Sequence, residues 1–277
     1  MPKDMSSRTG SSGPARRGRS RTSGPPRGAS SAMAMDKTRS TWYSSRLRQE
    51  VSFARWGSYG RPVLLFPTAG GDCEECERML MIRALTPLID AGRIKVYSPD
   101  STAGKNWIRD DRSPQQKAWL QNQYDAFVAE ELVPAIRADC RTPDIEIVTA
   151  GASIGALNAV ASLTRHPDAF ALAIGMSGTY NLTGWMNGVH TLDFHYFSPI
   201  HFLPTLPEGP QLARLRTRLA ILAVGEGRWD RPGNSWEMAS VLGRRGVPNR
   251  VDLWGQDHDH DWPTWREMLP KYLAEHS

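Results

Sequence analysis

The sequence predicts an α/β domain in which helices cover both faces of a mostly parallel central sheet. Three observations indicate this class: short continuous apolar runs, their alternation with stretches of helical periodicity, and turns rich in glycine and proline between them. Apolar runs without polar alternation are typical of strands buried on both faces. Such strands alternating with helices form layered α/β folds. With 277 residues, 40% of them hydrophobic, the chain can bury one large core.

The first predicted elements follow one another from about residue 42. Residues 46–57 alternate in polarity and end in glycine, which favours an edge strand. The runs 61–67 and 93–101 predict buried strands, and the helical spacing of apolar residues over 76–92 predicts a helix between them.

The alternation then continues to the end of the sequence. The weak periodicity of residues 180–210 predicts an excursion over one end of the sheet rather than a second domain. The remaining predicted elements are the strands 145–151, 170–178, 218–227 and 250–255 and the helices 116–139, 154–167, 235–246 and 262–276.

Positive charge is concentrated at the N-terminus. Residues 1–40 carry nine Lys or Arg against two Asp, a net +7, and the remainder of the chain carries −2. This first segment is rich in Ser, Gly, Pro and Arg, so we expect residues 1–40 to be a disordered tail and residues 41–277 to be the domain. A nearly neutral domain argues against a nucleic-acid partner.

The cellular compartment is predicted from cysteine usage and apolar runs. Three cysteines do not suit a disulfide framework and favour a reducing, cytoplasmic setting. No secretory signal pattern and no run of about 18 apolar residues is present, so we expect no membrane association. The oligomeric state cannot be inferred from these features.

The most informative motif is the pattern G-x-S-x-G at residues 151–155. It follows a predicted strand and opens a predicted helix, which is the context of a nucleophile elbow. Ser153 is therefore the candidate nucleophile, and the backbone amide of Ile154 is a candidate oxyanion donor. The alternative is a glycine-rich turn that only allows a strand and a helix to pack closely.

A second oxyanion donor is expected from the loop after an early strand. The segment "LLFPTAGGD" fits this position, and the amide of Ala69 is our candidate. The alternative is that these residues form an ordinary glycine-rich turn with no role in catalysis.

A serine nucleophile needs a base and an acid that orients the base. Asp230 lies in the turn after strand 218–227, and His260 follows the next strand. Glu226, nearer to the strand end, is the rival acid, and a helix-capping or solvated role is the alternative for Asp230.

The segment "DHDHD" also raises the possibility of a metal site. His258 and His260 are two residues apart, but no further cluster completes a ligand set. Cys73 and Cys76 form a single C-x-x-C pair, which we interpret as packing residues. Asp261 is expected to cap the last helix and so fix His260, whereas His258 is expected to be exposed.

Four segments together resemble a known family: "FPTAGGD", "GASIGALNA", "GEGRWD" and "HDWPTW". They are similar to the bacterial putative-esterase family, the esterase D-like branch of the α/β-hydrolases, over about residues 42–275. The resemblance implies an α/β-hydrolase fold and a cofactor-free enzyme that acts on esters or transfers acyl groups. We therefore expect a small-molecule ester as substrate, and the missing ligand cluster leads us to expect no metal. The resemblance also implies Ser153 as nucleophile and His260 in the family's H-[DS]-W motif, with Asp230 near the position of the family acid.

The predicted function is hydrolysis of a carboxylic ester through a Ser-His-Asp triad and an acyl-enzyme. Two alternatives remain: an acyltransferase that uses the same triad, and an inactive binding protein that keeps the fold. Four tryptophans are candidates for lining the substrate pocket or for core packing: Trp107, Trp185, Trp229 and Trp262.

Overall fold

The computed structural model of the protein describes residues 36–277. Its strands are β1 (Lys37–Ser44), β2 (Gln49–Trp56), β3 (Arg61–Phe66), β4 (Ile94–Pro99), β5 (Ile147–Ala152), β6 (Phe170–Met176), β7 (Leu219–Val224) and β8 (Asn249–Leu253). They form one sheet in the order β1-β2-β4-β3-β5-β6-β7-β8. β1, β2 and β4 pair antiparallel, whereas β3 to β8 all run parallel to one another. The predicted mostly parallel sheet is therefore confirmed.

Helices cover both faces of this sheet, as predicted. They are α1 (Glu75–Arg78), α2 (Met81–Asp90), α3 (Thr102–Trp107), α4 (Pro114–Phe127), α5 (Val133–Cys140), α6 (Ile154–Arg165), α7 (Leu192–Phe197), α8 (Pro199–Thr205), α9 (Pro210–Leu215), α10 (Pro232–Arg244) and α11 (Trp262–His276). Apolar side chains of α2 and α11 share one buried cluster with one face of the strands. Those of α4, α6 and α10 share a second cluster with the other face.

The edge of the sheet differs from the prediction. β2 lies between β1 and β4, so residues 46–57 do not form an edge strand. The strand at this edge is β1, whose polar sequence KTRSTWYS is mostly exposed and carries no buried-strand pattern. Residues 37–40, assigned to the tail, therefore belong to the domain. Residues 1–35, on which the rest of the tail prediction falls, lie outside the described part of the chain.

Two predicted helices are divided. Leu80 has a φ of 63°, and this left-handed residue separates α1 from α2 within the predicted helix 76–92. The predicted helix 116–139 contains a π-helical turn at Val128–Leu132 between α4 and α5. Pro134 in the first turn of α5 has no amide to donate, so an i→i−4 bond is missing there. The Val133 amide instead bonds to the Val128 carbonyl, five residues back.

The excursion over residues 180–210 contains a 3₁₀ turn at Thr183–Met186 and the short helices α7 and α8. Leu182, Met186, Phe194 and Phe197 pack with Ile154 and Leu157 at the start of α6. This segment therefore covers the end of the sheet at which β5 stops. Within residues 36–277, no helix has the length and apolarity needed to span a membrane.

Candidate active site

Ser153 occupies a sharp turn between β5 and α6. β5 ends at Ala152, and α6 begins at Ile154. The backbone of Ser153 has φ 57° and ψ −120°, a conformation that residues with a side chain rarely adopt. Such strain persists only where the surroundings enforce it, and it is concentrated at functional sites.

The two glycines of the motif allow this turn to close. A Cβ atom at Gly151 would lie 2.3 Å from the carbonyl carbon of Gly155, and one at Gly155 would lie 2.7 Å from the carbonyl oxygen of Phe66. Neither position therefore accepts a side chain. The spacing of G-x-S-x-G follows from these contacts, which press the start of α6 against the end of β3.

Backbone hydrogen bonds join the serine turn to the end of β6. The Ser153 amide donates to the Met176 carbonyl at 3.0 Å, and the Thr179 amide donates to the Ser153 carbonyl at 3.1 Å. Ser153 lies at the carboxyl edge of the sheet and is half-buried.

His260 and Asp230 meet at the same edge. Nδ1 of His260 lies 2.9 Å from Oδ1 of Asp230. The Asp230 side chain is 1% exposed and the His260 side chain is 24% exposed. A buried carboxylate on Nδ1 selects the imidazole tautomer whose Nε2 is free to accept a proton, and the partly exposed ring remains accessible.

The loops after β7 and β8 are fastened to each other. The Gly227 amide donates to the His258 carbonyl at 3.0 Å, and the His260 amide donates to the Arg228 carbonyl at 2.9 Å. The Arg228 amide also donates to Oδ1 of Asp259 at 2.7 Å. This amide bond, together with the Arg228 guanidinium, holds the pKa of Asp259 below its usual range. The loops that carry Asp230 and His260 are thus held together by a shared set of hydrogen bonds.

The second oxygen of Asp230 has partners that the sequence analysis did not identify. Oδ2 accepts hydrogen bonds from the Gly225 amide at 2.8 Å and from the Ser177 hydroxyl at 2.9 Å. The Ser177 oxygen accepts a bond from the indole Nε1 of Trp265 at 3.0 Å. The only sequence feature that could have identified Ser177 is its position directly after a buried strand. Many residues share such a position, so this feature does not distinguish Ser177 from them.

Glu226, the rival acid, and His258, the second histidine of the segment, have other partners than Asp230 and His260. Glu226 is exposed, and its amide donates to the Gly255 carbonyl at 2.9 Å. His258 is not fully exposed as expected, because its side chain is only 22% accessible and Nε2 faces Glu267 at 3.4 Å. Its ring packs edge-on against Trp254. The side-chain partners of His258 are therefore Glu267 and Trp254, whereas His260 contacts Asp230.

The two candidate oxyanion donors lie in one neighbourhood. Ile154 is the first residue of α6, and the amides of the first helical turn have no intrahelical acceptor. Ala69, in the loop after β3, packs against the apolar cluster that contains Ile154. Their proximity is consistent with a shared oxyanion hole, and the role of each amide stays a prediction.

The four tryptophans have different environments. Trp107 is 3% exposed, and its ring centre lies 6.0 Å from that of Trp185, which is 43% exposed. Trp229, next to Asp230, is 83% exposed. Trp262 is half-buried and packs on Trp265 of the same helix.

The cysteines and histidines form no ligand cluster within the described residues. Between residues 36 and 277, no group of three or more His, Cys, Asp or Glu could hold a metal ion. Cys73 and Cys76 are free thiols buried in an apolar cluster. Burial raises the pKa of the Cys73 thiol to about 12. Both are core residues.

Known structures share this architecture. A ferulic acid esterase is 17% identical with a TM-score of 0.67, over 86% of this chain and 96% of that one. An S-formylglutathione hydrolase from Agrobacterium tumefaciens is 14% identical with a TM-score of 0.65, over 88% and 97%. Mycobacterium tuberculosis MPT51 is 19% identical with a TM-score of 0.66, over 87% and 98%. No curated protein sequence matches this chain.

A strained serine turn above the carboxyl edge of β5, in a sheet of this topology, is the architecture of the α/β-hydrolases. The structures compared above have the same fold. The family described as "Putative esterase" matches residues 85–277, and the chain belongs to this family. It is accordingly a carboxylic ester hydrolase, as the sequence resemblance implied.

Proposed function

We propose that the chain hydrolyses small-molecule carboxylic esters through Ser153, His260 and Asp230, by way of an acyl-enzyme. The contact of 2.9 Å between His260 Nδ1 and Asp230 Oδ1, at the sheet edge that carries the strained Ser153, is the observation that supports this proposal most strongly. It supplies an oriented base at the edge where the serine turn lies.

In the first step, His260 Nε2 accepts the proton of the Ser153 hydroxyl while the serine oxygen bonds to the ester carbonyl carbon. The carbonyl oxygen becomes an oxyanion, which the amides of Ala69 and Ile154 stabilise. The carbonyl re-forms, the bond to the alcohol oxygen breaks, and His260 gives its proton to the departing alcohol.

In the second step, His260 accepts a proton from water as the water oxygen attacks the acyl-enzyme. Collapse of this second intermediate releases the carboxylic acid and returns the proton to Ser153. Asp230 stays ionised throughout and stabilises the imidazolium that forms in each step.

The test compares Ser153→Ala with Ser162→Ala, a buried serine of the helix α6 that follows Ser153. With 4-nitrophenyl acetate, Ser153→Ala should lower kcat by roughly 10⁵-fold or more and abolish labelling by a fluorophosphonate, while Ser162→Ala keeps both. Mass spectrometry of the labelled peptide should identify Ser153. Labelling of another serine, or full turnover by Ser153→Ala, would contradict the proposal.

Product analysis separates hydrolysis from acyl transfer. With added methanol, butanol or glycerol, a hydrolase yields mainly the free acid, whereas an acyltransferase yields the new ester. Absence of both turnover and fluorophosphonate labelling in the wild-type chain would favour the inactive binding protein.

A further inference from the structure

A second serine lies against the carboxylate of Asp230. Ser177 directly follows β6 and is 3% exposed. β6 lies between β5, which carries Ser153, and β7, which precedes Asp230. The Ser177 amide donates to the Ala223 carbonyl of β7 at 2.8 Å. The backbone of Ser177 is thus anchored to the strand from which the acid loop departs.

The direction of the Ser177 hydroxyl is determined by its neighbours. An indole N–H can only donate, so the Ser177 oxygen must accept the bond of 3.0 Å from Nε1 of Trp265. The single hydroxyl proton then remains for Oδ2 of Asp230, which is 2.9 Å away. An ionised carboxylate can only accept, so the chain of donors runs from Trp265 through Ser177 to Asp230.

Trp265 also contacts the base. Its ring meets the His260 imidazole edge-to-face, with 5.2 Å between ring centres and an interplanar angle of 83°. Trp265 is 4% exposed and lies in the first turns of α11. Each of the four side chains therefore contacts two of the others. Hydrogen bonds join Trp265 to Ser177, Ser177 to Asp230 and Asp230 to His260, and a ring contact joins His260 to Trp265.

The backbone conformation of Ser177 indicates that its hydroxyl is needed at this position. Its φ is 48°, in the left-handed region that non-glycine residues seldom occupy. A glycine would meet the backbone requirement of this position without steric strain, but it would supply no hydroxyl. Such strained residues are concentrated at functional sites.

We infer that Ser177 and Trp265 are positioning residues that hold the carboxylate of Asp230, and through it the tautomer and orientation of His260, in the arrangement needed for turnover. The inference rests on the proposed function, because it assigns to Asp230 the part of the triad acid. Neither residue touches the reacting atoms. Their effect should therefore be on kcat and not on substrate binding.

The first test measures kcat and KM with 4-nitrophenyl acetate. Ser177→Ala removes one of the two donors to Oδ2 and should lower kcat by roughly 10-fold to 100-fold, the effect of a hydrogen bond to a charged group, with KM unchanged. Trp265→Phe keeps a ring beside His260 but removes the N–H, and should cause a smaller loss of kcat. The matched control is Ser235→Ala, a buried serine whose hydroxyl has no partner within residues 36–277; its kcat should stay within twofold.

Ser177→Gly guards against a folding artefact, because glycine adopts the local φ without strain. It should melt at a temperature close to that of the wild type and show the same loss of kcat as Ser177→Ala. A Ser177→Gly variant with wild-type kcat would overturn the inference.

The decisive test repeats Ser177→Ala in an Asp230→Ala background. If Ser177 acts through Asp230, its removal has no further effect on kcat there, because coupled residues are not additive. A loss of kcat equal to that in the wild-type background would show a merely structural role and refute the inference. An Asp230→Asn variant with full activity would instead refute the triad itself, whereas a damaging Asp230→Asn beside a harmless Ser177→Ala would refute only the role of Ser177.

Discussion

The carboxylate of Asp230 lies 2.9 Å from the imidazole of His260 although the two residues follow different strands. The contact forms because the loop after β7 pairs with the loop after β8. The Glu226 amide binds the Gly255 carbonyl, and the Gly227 amide binds the His258 carbonyl. The chain then turns inward at a left-handed residue next to Asp230. Asp230 is thereby buried, while Glu226 remains at the surface.

This arrangement predicts different outcomes for the two candidate acids. Asp230→Asn should lower kcat by up to ~10⁴-fold, because an amide no longer selects the tautomer that accepts the serine proton. Glu226→Gln, its matched control, should leave kcat unchanged. Steady-state kinetics of the two variants provide the measurement. If Glu226→Gln is the more damaging change, the acid has been assigned to the wrong residue.

The two histidines of "DHDHD" should also differ. His260→Ala removes the proposed base and should reduce kcat to near the level of Ser153→Ala, since the residues of a catalytic triad act as a unit. His258→Ala should retain most of the activity, because His258 faces Glu267 and Trp254 and does not contact Asp230. Dialysis against EDTA should leave turnover unchanged. Equal damage from both substitutions, with recovery on addition of zinc to the chelated protein, would indicate a metal mechanism.

The buried thiols should resist alkylation. The pKa of Cys73 is raised to about 12 by burial, and burial also raises the pKa of Cys76. At pH 8 a thiol with so high a pKa is almost entirely protonated, and only the thiolate reacts. Iodoacetamide should therefore modify neither residue in the native protein, and both after unfolding in guanidinium chloride, as read by mass spectrometry. Modification of Cys73 in the folded and active protein would contradict this expectation.

Two N-terminal truncations should distinguish the contribution of the tail to stability from that of strand β1. A chain that begins at Met35 should keep its Tm and its activity, since the basic segment before it has almost no apolar residues. A chain that begins at Ser45 loses β1 and with it Trp42, which packs on Phe53 and bonds to Glu131. Loss of a packed tryptophan should lower the Tm by roughly 10 °C.

Thermal unfolding followed by circular dichroism measures both truncations. A large decrease in Tm for the chain that begins at Met35 would show that the basic segment packs on the domain. An unchanged Tm for the chain that begins at Ser45 would show that β1 contributes little to the stability of the sheet.

The fold was predictable because its strands are buried on both faces and carry a strong apolar signal. The serine turn was predictable because two glycines are sterically required beside Ser153. β1 was missed since an exposed edge strand needs few apolar residues. The break between α1 and α2 at Leu80 was also missed. A leucine in the left-handed conformation does not interrupt the apolar pattern of a predicted helix.

Parts of the site depend on contacts between distant segments, which one sequence does not report. Asp230 and Glu226 both follow β7, and only the pairing of two loops distinguishes them. Ser177 and Trp265 are 3.0 Å apart in space but belong to different elements, one after β6 and the other on α11. A single serine and a single tryptophan have no motif that would join them.

Ser153, Ser177, Asp230 and His260 follow the strands β5, β6, β7 and β8, respectively. These four strands have the same order in the sheet as along the chain. During synthesis, each of these strands pairs with one that has already emerged. A nascent chain on the ribosome that already exposes Ser153 still lacks His260 and the indole of Trp265. In the proposed mechanism, the ability to acylate therefore arises only when α11 has left the ribosome and docked. If the proposed triad is correct, this order of synthesis leaves Ser153 without its base until the segment that carries His260 and Trp265 has been made.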